Sequence, residues 1–231
     1  MMILPELIAI DGPAGGGKST IGEMIARELG FLYFDTGIMY RAATFAALAV
    51  FGSVADEAKV TDLVRRIQID VREPSVDDQR TNDVLVDGKD VTWLIRDQWV
   101  ERNVSQVSAY SGVRDALTNG QRLIGHRGNV VMVGRDIGTV VFPEAKVKIY
   151  LTASAEERAR RRFIEKKSRG ENVVYEVILG EIRARDEIDT NRVVAPLRPA
   201  DDAIIINTDH LSVNEVFLHV MGIIWQKSKP D

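Results

Sequence analysis

The chain has 231 residues, 45% of them apolar and 28% charged, with a formal net charge of −4. That balance suits one cored globular domain with a small insertion, and it argues against a disordered chain or a strongly basic nucleic-acid binder. The chain has no cysteine, so disulfides, thiolate metal sites and thiol nucleophiles are excluded. No apolar run reaches membrane-spanning length, and the N-terminus carries Pro5 and Glu6 where a signal peptide would need a basic then apolar stretch. A cytoplasmic monomer is therefore expected, with small-molecule partners and no nucleic acid or membrane. The histidines, His126, His210 and His219, are scattered and read as surface or packing residues.

Taken in order, Leu7-Ile8-Ala9-Ile10 is an apolar run that predicts a buried strand over 7–11. It leads into Gly12-Pro13-Ala14-Gly15-Gly16-Gly17-Lys18-Ser19-Thr20, which fits the pattern G-x-x-x-x-G-K-[ST]. A helix is predicted over 18–29, with Ile21, Met24, Ile25, Ala26 and Leu29 at helical spacing and Gly30 at its end. This strand–loop–helix context separates a phosphate-binding loop from an ordinary glycine turn. Inward-turned backbone amides at a helix start cradle phosphate oxygens. In such a loop Lys18 reaches the β- and γ-phosphates of a nucleoside triphosphate, and the Ser19 hydroxyl is a ligand for Mg²⁺. Phe31 to Phe34 is a second short strand, ending in Asp35-Thr36-Gly37, so a βαβ unit and a parallel sheet are implied. Residues 38–51 read as a helix.

The middle of the chain changes character. Residues 56–66 are helical in pattern, and 67–71 alternate as a half-buried strand does. Val84-Leu85-Val86 meets the turn signal Asp87-Gly88, with Val91 beginning a returning strand. An antiparallel excursion over about 60–95 is predicted, inside an acceptor-binding region of about 38–100. Helices follow over 95–124, broken near Ser111-Gly112. Then come an all-apolar strand at Val130–Val133, a strand at 147–151, and a helix opened by a Ser154/Glu157 capping box. That helix is very basic, and the stretch over about 156–172 reads either as a solvated face or as a short lid. A further helix starts near Val173, a last strand covers 203–206, and a last helix covers 212–226. The fold class is α/β: a five-stranded doubly wound parallel sheet of the P-loop NTPase type, with the small antiparallel insertion and the helical lid, in a single domain over 1–231.

Ligands bind beyond the C-terminal ends of such strands, where Gly12, Asp35 and Arg135 fall. Asp35 or Thr36 fits a helix N-cap or, with Arg41, an acceptor contact. Arg135-Asp136 fits an ion pair or a ligand contact, with Asp136 also open to reading as a Mg²⁺-binding aspartate. Arg158 and Arg162 share a helix face, either as solvated charges or as a lid on a triphosphate. Arg185, Asp189 and Arg192 continue the inward stripe of Ile178 and Ile182, although Arg185–Asp189 also fits a surface ion pair. Residues near Thr208-Asp209 follow the last strand and are candidates for holding adenine.

Together these stretches resemble the bacterial cytidylate kinases of the P-loop nucleoside monophosphate kinase group. The resemblance covers nearly the whole chain. It rests on Ile8 to Pro13, on Asp35-Thr36-Gly37 with Met39-Tyr40-Arg41, on Gly134-Arg135-Asp136-Ile137-Gly138-Thr139-Val140-Val141-Phe142-Pro143, on Glu156 to Ala159 with Arg161-Arg162, and on Arg185-Asp186-x-x-Asp189-x-x-Arg192-x-x-Ala195-Pro196-Leu197. It implies phosphoryl transfer from MgATP to CMP or dCMP. It further implies that Thr36, Arg41, Arg135 and Arg192 hold the acceptor phosphate and that Ser105, Arg114 and Asp136 read cytosine. Arg185 and Asp189 would meet the sugar, and Arg158 and Arg162 would close on the transferring group. Ile38, where the family often has alanine, and the run Gly15-Gly16-Gly17 depart from the pattern without removing a reacting group. The readings that stand beside this one are a kinase of another small acceptor, such as UMP or shikimate, and a nucleotide-binding switch. The switch lacks support from any guanine-reading N-K-x-D segment.

Overall fold

A computed structural model describes residues 4–228. Its contacts divide the chain into two compact units, one made of residues 1–31 and 129–231 and the other of residues 32–128. The elements in chain order are β1 (Leu7–Asp11), α1 (Lys18–Leu29), β2 (Leu32–Asp35), α2 (Gly37–Phe51), α3 (Glu57–Arg66), β3 (Ile69–Arg72), β4 (Asp83–Val86), β5 (Lys89–Asp90), α4 (Gln98–Ala109), α5 (Ser111–Gly125), β6 (Val130–Val133), β7 (Val147–Thr152), α6 (Ala155–Ser168), α7 (Tyr175–Asn191), β8 (Ile204–Asn207) and α8 (Val213–Lys227). The main sheet has five strands in the order β2-β6-β1-β7-β8.

In the discontinuous unit, β1 is parallel to β6 with Ile10 opposite Val133, and parallel to β7 with Ile10 opposite Ile149. β7 pairs with β8 in the same sense. Every residue of β1 and β6 is buried, as expected of central strands in a parallel sheet. β1 and β6 therefore leave the sheet at one end, which places Asp11-Gly12 beside Gly134-Arg135; the Gly134 amide donates to the Ile10 carbonyl at 3.0 Å. The helices α6 and α7 pack through Ala159, Ile178 and Ile182, with Phe163 edge-on to Tyr175.

The Ser154/Glu157 pair caps α6 from one side only. The Ser154 hydroxyl accepts from the Glu157 amide, but the Ser154 amide donates to Asp209, and the Glu157 carboxylate is engaged by Arg160 and Arg161. The reciprocal box forms instead at Ser212/Glu215, at the start of α8.

In the 32–128 unit, the alanine-rich α2 lies against an antiparallel three-stranded sheet, β3-β4-β5, with Ala42, Val84, Val91 and Ile95 in one cluster. Asp87 and Gly88 both take positive φ, 49° and 77°, the conformation a tight two-residue hairpin needs. The returning strand is Lys89–Asp90, and Val91 lies just beyond it. The reason is local: the Val91 amide still donates to the Val84 carbonyl, but the Val84 amide donates to the Thr92 hydroxyl instead of returning to Val91, and the Asp90 carboxylate accepts the Thr92 amide. Arg80, 7% exposed at its side chain, pins this sheet by hydrogen bonds to Asp78, Asp83 and Asp90. These bonds contribute to the low pKa values of all three carboxylates: Arg80 is the main cause for Asp78, whereas Asp90, at about 2, owes more to Thr92.

Candidate active site

The phosphate loop starts where β1 ends. Gly12 has φ +145°, and a Cβ there would lie 2.0 Å from the Leu151 carbonyl of β7. Only glycine lets the chain pass so close to that strand. Beyond it the loop curls onto itself: the Lys18 ammonium donates to the Pro13 carbonyl at 2.6 Å, and the Gly16 amide donates to the same oxygen. Helix α1 then begins without an acidic residue in its first turn, and Gly17 gives it no side-chain cap. The helix start therefore presents backbone amides and a positive dipole end in place of the carboxylate that often occupies such a position. Lys18 is buried, while Ser19 and Thr20 are exposed at the opening.

A cavity of about 570 Å³ lies over this loop, within the range of small-ligand sites. Residues 15–21 form its floor, and arginines of α6, among them Arg158 and Arg162, form one side. Leu211, Val213 and Val216 with Thr208 give it an apolar end. That wall extends the expectation for Thr208 to residues the sequence alone did not single out. Arg161 ties the wall to α6, donating to the Thr208 hydroxyl at 3.0 Å and to its carbonyl.

Arg158, expected on the lid, is 4% exposed and firmly held. It donates to the carbonyls of Ala14 in the loop and Ala153, and it makes a bidentate pair with Asp186 of α7 at 3.0 and 2.6 Å. Asp186 stands inside the quoted motif but had no role assigned to it. Its role becomes visible only once α6 and α7 are packed.

At the neighbouring strand end, four of the expected acceptor residues form an alternating charge set. The Arg135 Nε donates to Asp189 at 3.0 Å, Asp189 lies 3.9 Å from Arg192, and Arg192 lies 3.6 Å from Asp136. Asp136 and Asp189 are 5% and 4% exposed, so Asp189 is not part of a surface pair with Arg185. Arg185 is half-buried on the same helix. Opposite charges within 4 Å in a sheltered site attract far more than they would in water.

The remaining candidates lie in the 32–128 unit. Thr36 is buried where α2 begins, and the Gly37 amide donates to Asp35 at 2.9 Å. Arg41 donates to the Ile95 carbonyl. Arg114, 3% exposed, donates to the Ser108 carbonyl and sets its guanidinium 5.3 Å from the ring centre of Tyr40, the neighbour of Arg41. Ser105 is half-buried on α4. Within this unit, then, Arg114 and Tyr40 of α2 are brought together.

A glycine loop between a buried strand and a helix start, on a parallel α/β sheet and under an arginine-lined cavity, defines a P-loop nucleotide-binding protein. The family model described as cytidylate kinase matches residues 8–226. The chain belongs to the cytidylate kinase family. It is 47% identical over 223 residues to a cytidylate kinase of Herpetosiphon aurantiacus, covering 96% of each chain. It is 44% identical to the cytidylate kinase of Bacillus subtilis, covering 96% of this chain and 97% of that one. It is also 46% identical over 218 residues to a bifunctional pantoate ligase/cytidylate kinase of Trichodesmium erythraeum, of which the match covers 40%. Among the described residues no helix is long and apolar enough to cross a membrane.

Proposed function

We propose that this protein transfers the γ-phosphoryl group of ATP to CMP and dCMP, reversibly, as a cytoplasmic monomer acting on small-molecule substrates. The observation that carries the reading is the alternating set Arg135–Asp189–Arg192–Asp136, built at the strand end next to the phosphate loop. A protein that only binds or hydrolyses a triphosphate has no use for a second, separately supported group of arginines. Membership of the cytidylate kinase family supports the same reading.

Residues 12–20 hold the ATP phosphates. The attacking oxygen of CMP is already anionic, so the protein's work is positioning and charge stabilisation rather than proton removal. Lys18, Arg135, Arg158, Arg162 and Arg192 supply that charge. Thr36, Arg41, Ser105, Arg114, Asp136, Arg185 and Asp189 are the CMP-holding residues, each on its own unit. A carboxylate at Asp136 suits cytosine, which presents an amino donor at C4 where uracil presents an oxygen. Mg²⁺ fits the donor set: Ser19, which carries a hydroxyl, is exposed at the loop opening, and no group of three or more acidic or histidine side chains among the described residues forms a cage of its own. Such an ion, held by one hydroxyl, nucleotide phosphates and water, would neutralise charge on the transferring group. The Asp11 carboxylate, buried and engaged by two amides, is not available to it.

The test is ADP formation from MgATP, alone and with CMP, dCMP, UMP, AMP, GMP or shikimate. CMP and dCMP should raise the rate many-fold over the acceptor-free reaction. Acceptor-independent hydrolysis would favour a switch, and a larger response to another acceptor would move the specificity.

A further inference from the structure

One buried charge beside the phosphate loop has so far had no role. Asp11 is the last residue of β1, one position before Gly12, and is 5% exposed. Its Oδ1 accepts the Ile137 amide at 2.8 Å and its Oδ2 accepts the Gly138 amide at 2.7 Å. Those are the two residues after Asp136. They open the π-helical turn Ile137–Val141, which is closed by the Val140 and Val141 amides on the Asp136 carbonyl and the Phe142 amide on the Ile137 carbonyl. One carboxylate therefore joins the backbone that enters the phosphate loop to the backbone that leaves Arg135-Asp136. The other side of the turn is equally confined. A Cβ on Gly138 would lie 3.1 Å from the Lys148 Cδ and 3.4 Å from the Asp11 Oδ2. Lys148 is itself held by the Pro143 carbonyl and Asp202.

Burying a charge is an expensive way to fasten a turn. Burial raises the Asp11 pKa to about 6, although the Gly138 and Ile137 amides pull it down. Asp136 raises it further, and Lys18 lowers it. Tyr150 lies opposite on β7, and Lys148 lies beyond Gly138. The ionised form has one property an amide lacks: both its oxygens accept, so both amides of the turn are satisfied at once.

We propose that Asp11 is a positioning residue which, through the 137–141 turn, sets Arg135 and Asp136 in register with the phosphate loop. The inference rests on the kinase reading above and assigns the residue that aligns acceptor contacts with the donor loop. Asp11 touches neither substrate and acts through the turn.

The experiment compares wild type with Asp11→Asn and Gly138→Ala. It measures KM for CMP, KM for ATP and kcat between pH 5 and 8, together with thermal unfolding. In Asp11→Asn one accepting oxygen becomes an N–H facing an amide N–H. kcat/KM for CMP should fall about tenfold at pH 8, with KM for ATP changed less than about twofold. The wild-type advantage in kcat/KM for CMP should shrink as pH falls below 6, because the wild-type carboxylate is then protonated. The ionisation of CMP itself is common to both enzymes and cancels in the ratio. Gly138→Ala displaces the turn from its other face and should give the same CMP-selective loss, which decides the matter if Asp11→Asn does not fold. Unchanged kinetics for CMP, or equal losses for CMP and ATP, would overturn the inference, because equal losses mark a general loosening of the loop. Wild type without CMP-dependent ADP formation would overturn the kinase reading and this one with it. CMP-dependent wild type with unaltered variants overturns this one alone.

Discussion

Gly12→Ala is the most direct challenge to the geometry of the phosphate loop. The added Cβ would sit 2.0 Å from the Leu151 carbonyl, and the two chains must separate by about 1.4 Å before ordinary contact begins at 3.4 Å. The obstacle is a backbone oxygen of β7, a strand paired on both sides, so no side chain can swing aside to relieve it. The φ of +145° adds strain of about 1–3 kcal/mol for any residue with a Cβ. The loop is the less supported partner and should move. A displacement of about 1 Å at a reacting centre costs on the order of 100-fold in rate. We expect kcat/KM, followed by coupled ADP formation with CMP as acceptor, to fall at least about 100-fold. The melting temperature should drop by several degrees, at about 2–4 °C per kcal/mol for a chain of this size. The rise in melting temperature that MgATP gives the wild type should be largely lost. A variant within fivefold of wild-type activity and still stabilised by MgATP would refute the close approach of loop and strand on which the argument depends.

Two further outcomes follow from the same structure. Lys18→Ala should retain the fold, seen as an unchanged far-ultraviolet circular dichroism spectrum, and lose about 10²–10³-fold in kcat; comparable turnover would remove the loop from the reaction. Arg80→Met should destabilise the 32–128 unit at neutral pH by leaving Asp78, Asp83 and Asp90 clustered without their cation. Those carboxylates have folded-state pKa values below the ordinary range, so the stabilisation they give is present above about pH 4 and lost as the pH falls towards 2. The difference in melting temperature between variant and wild type should therefore narrow from pH 7 to pH 3; a constant or widening difference would exclude the ion cluster as its cause.

Local signals carried most of the fold. The apolar strands Leu7–Ile10 and Val130–Val133, the helix over 18–29 and the Asp87-Gly88 hairpin are all where the pattern predicts, because each depends on residues near in sequence. What failed to show depended on a competitor elsewhere. Nothing in Ser154-x-x-Glu157 reveals that Asp209 will take the Ser154 amide, or that two arginines will draw Glu157 away. The genuine capping box at Ser212-x-x-Glu215, just before an apolar run, carries the same local signal. In the candidate site the residue types were legible and their partners were not. Arg158 looked like a solvated or lid arginine until Asp186 and the Ala14 carbonyl appeared beside it. Asp11 carries no motif signal for its role, since its two amide partners lie 126 and 127 residues further along the chain.

That separation has a consequence for how the molecule is made. β1 and its loop are synthesised well before both strands that flank β1, which come after residue 129. At about 5–20 residues per second, synthesis of the intervening stretch takes roughly 6–25 s. During that interval the contacts internal to residues 32–128, contiguous in sequence, can already form. The apolar run Leu7–Ile10 of β1 does not have its partners, and an unpaired apolar strand is the kind of segment that chaperones bind and aggregates recruit. The nucleotide cradle is thus synthesised before the strands that complete it and is among the last parts to acquire its shape. Slowing translation across residues 32–128 should lengthen that exposed interval without altering the finished enzyme.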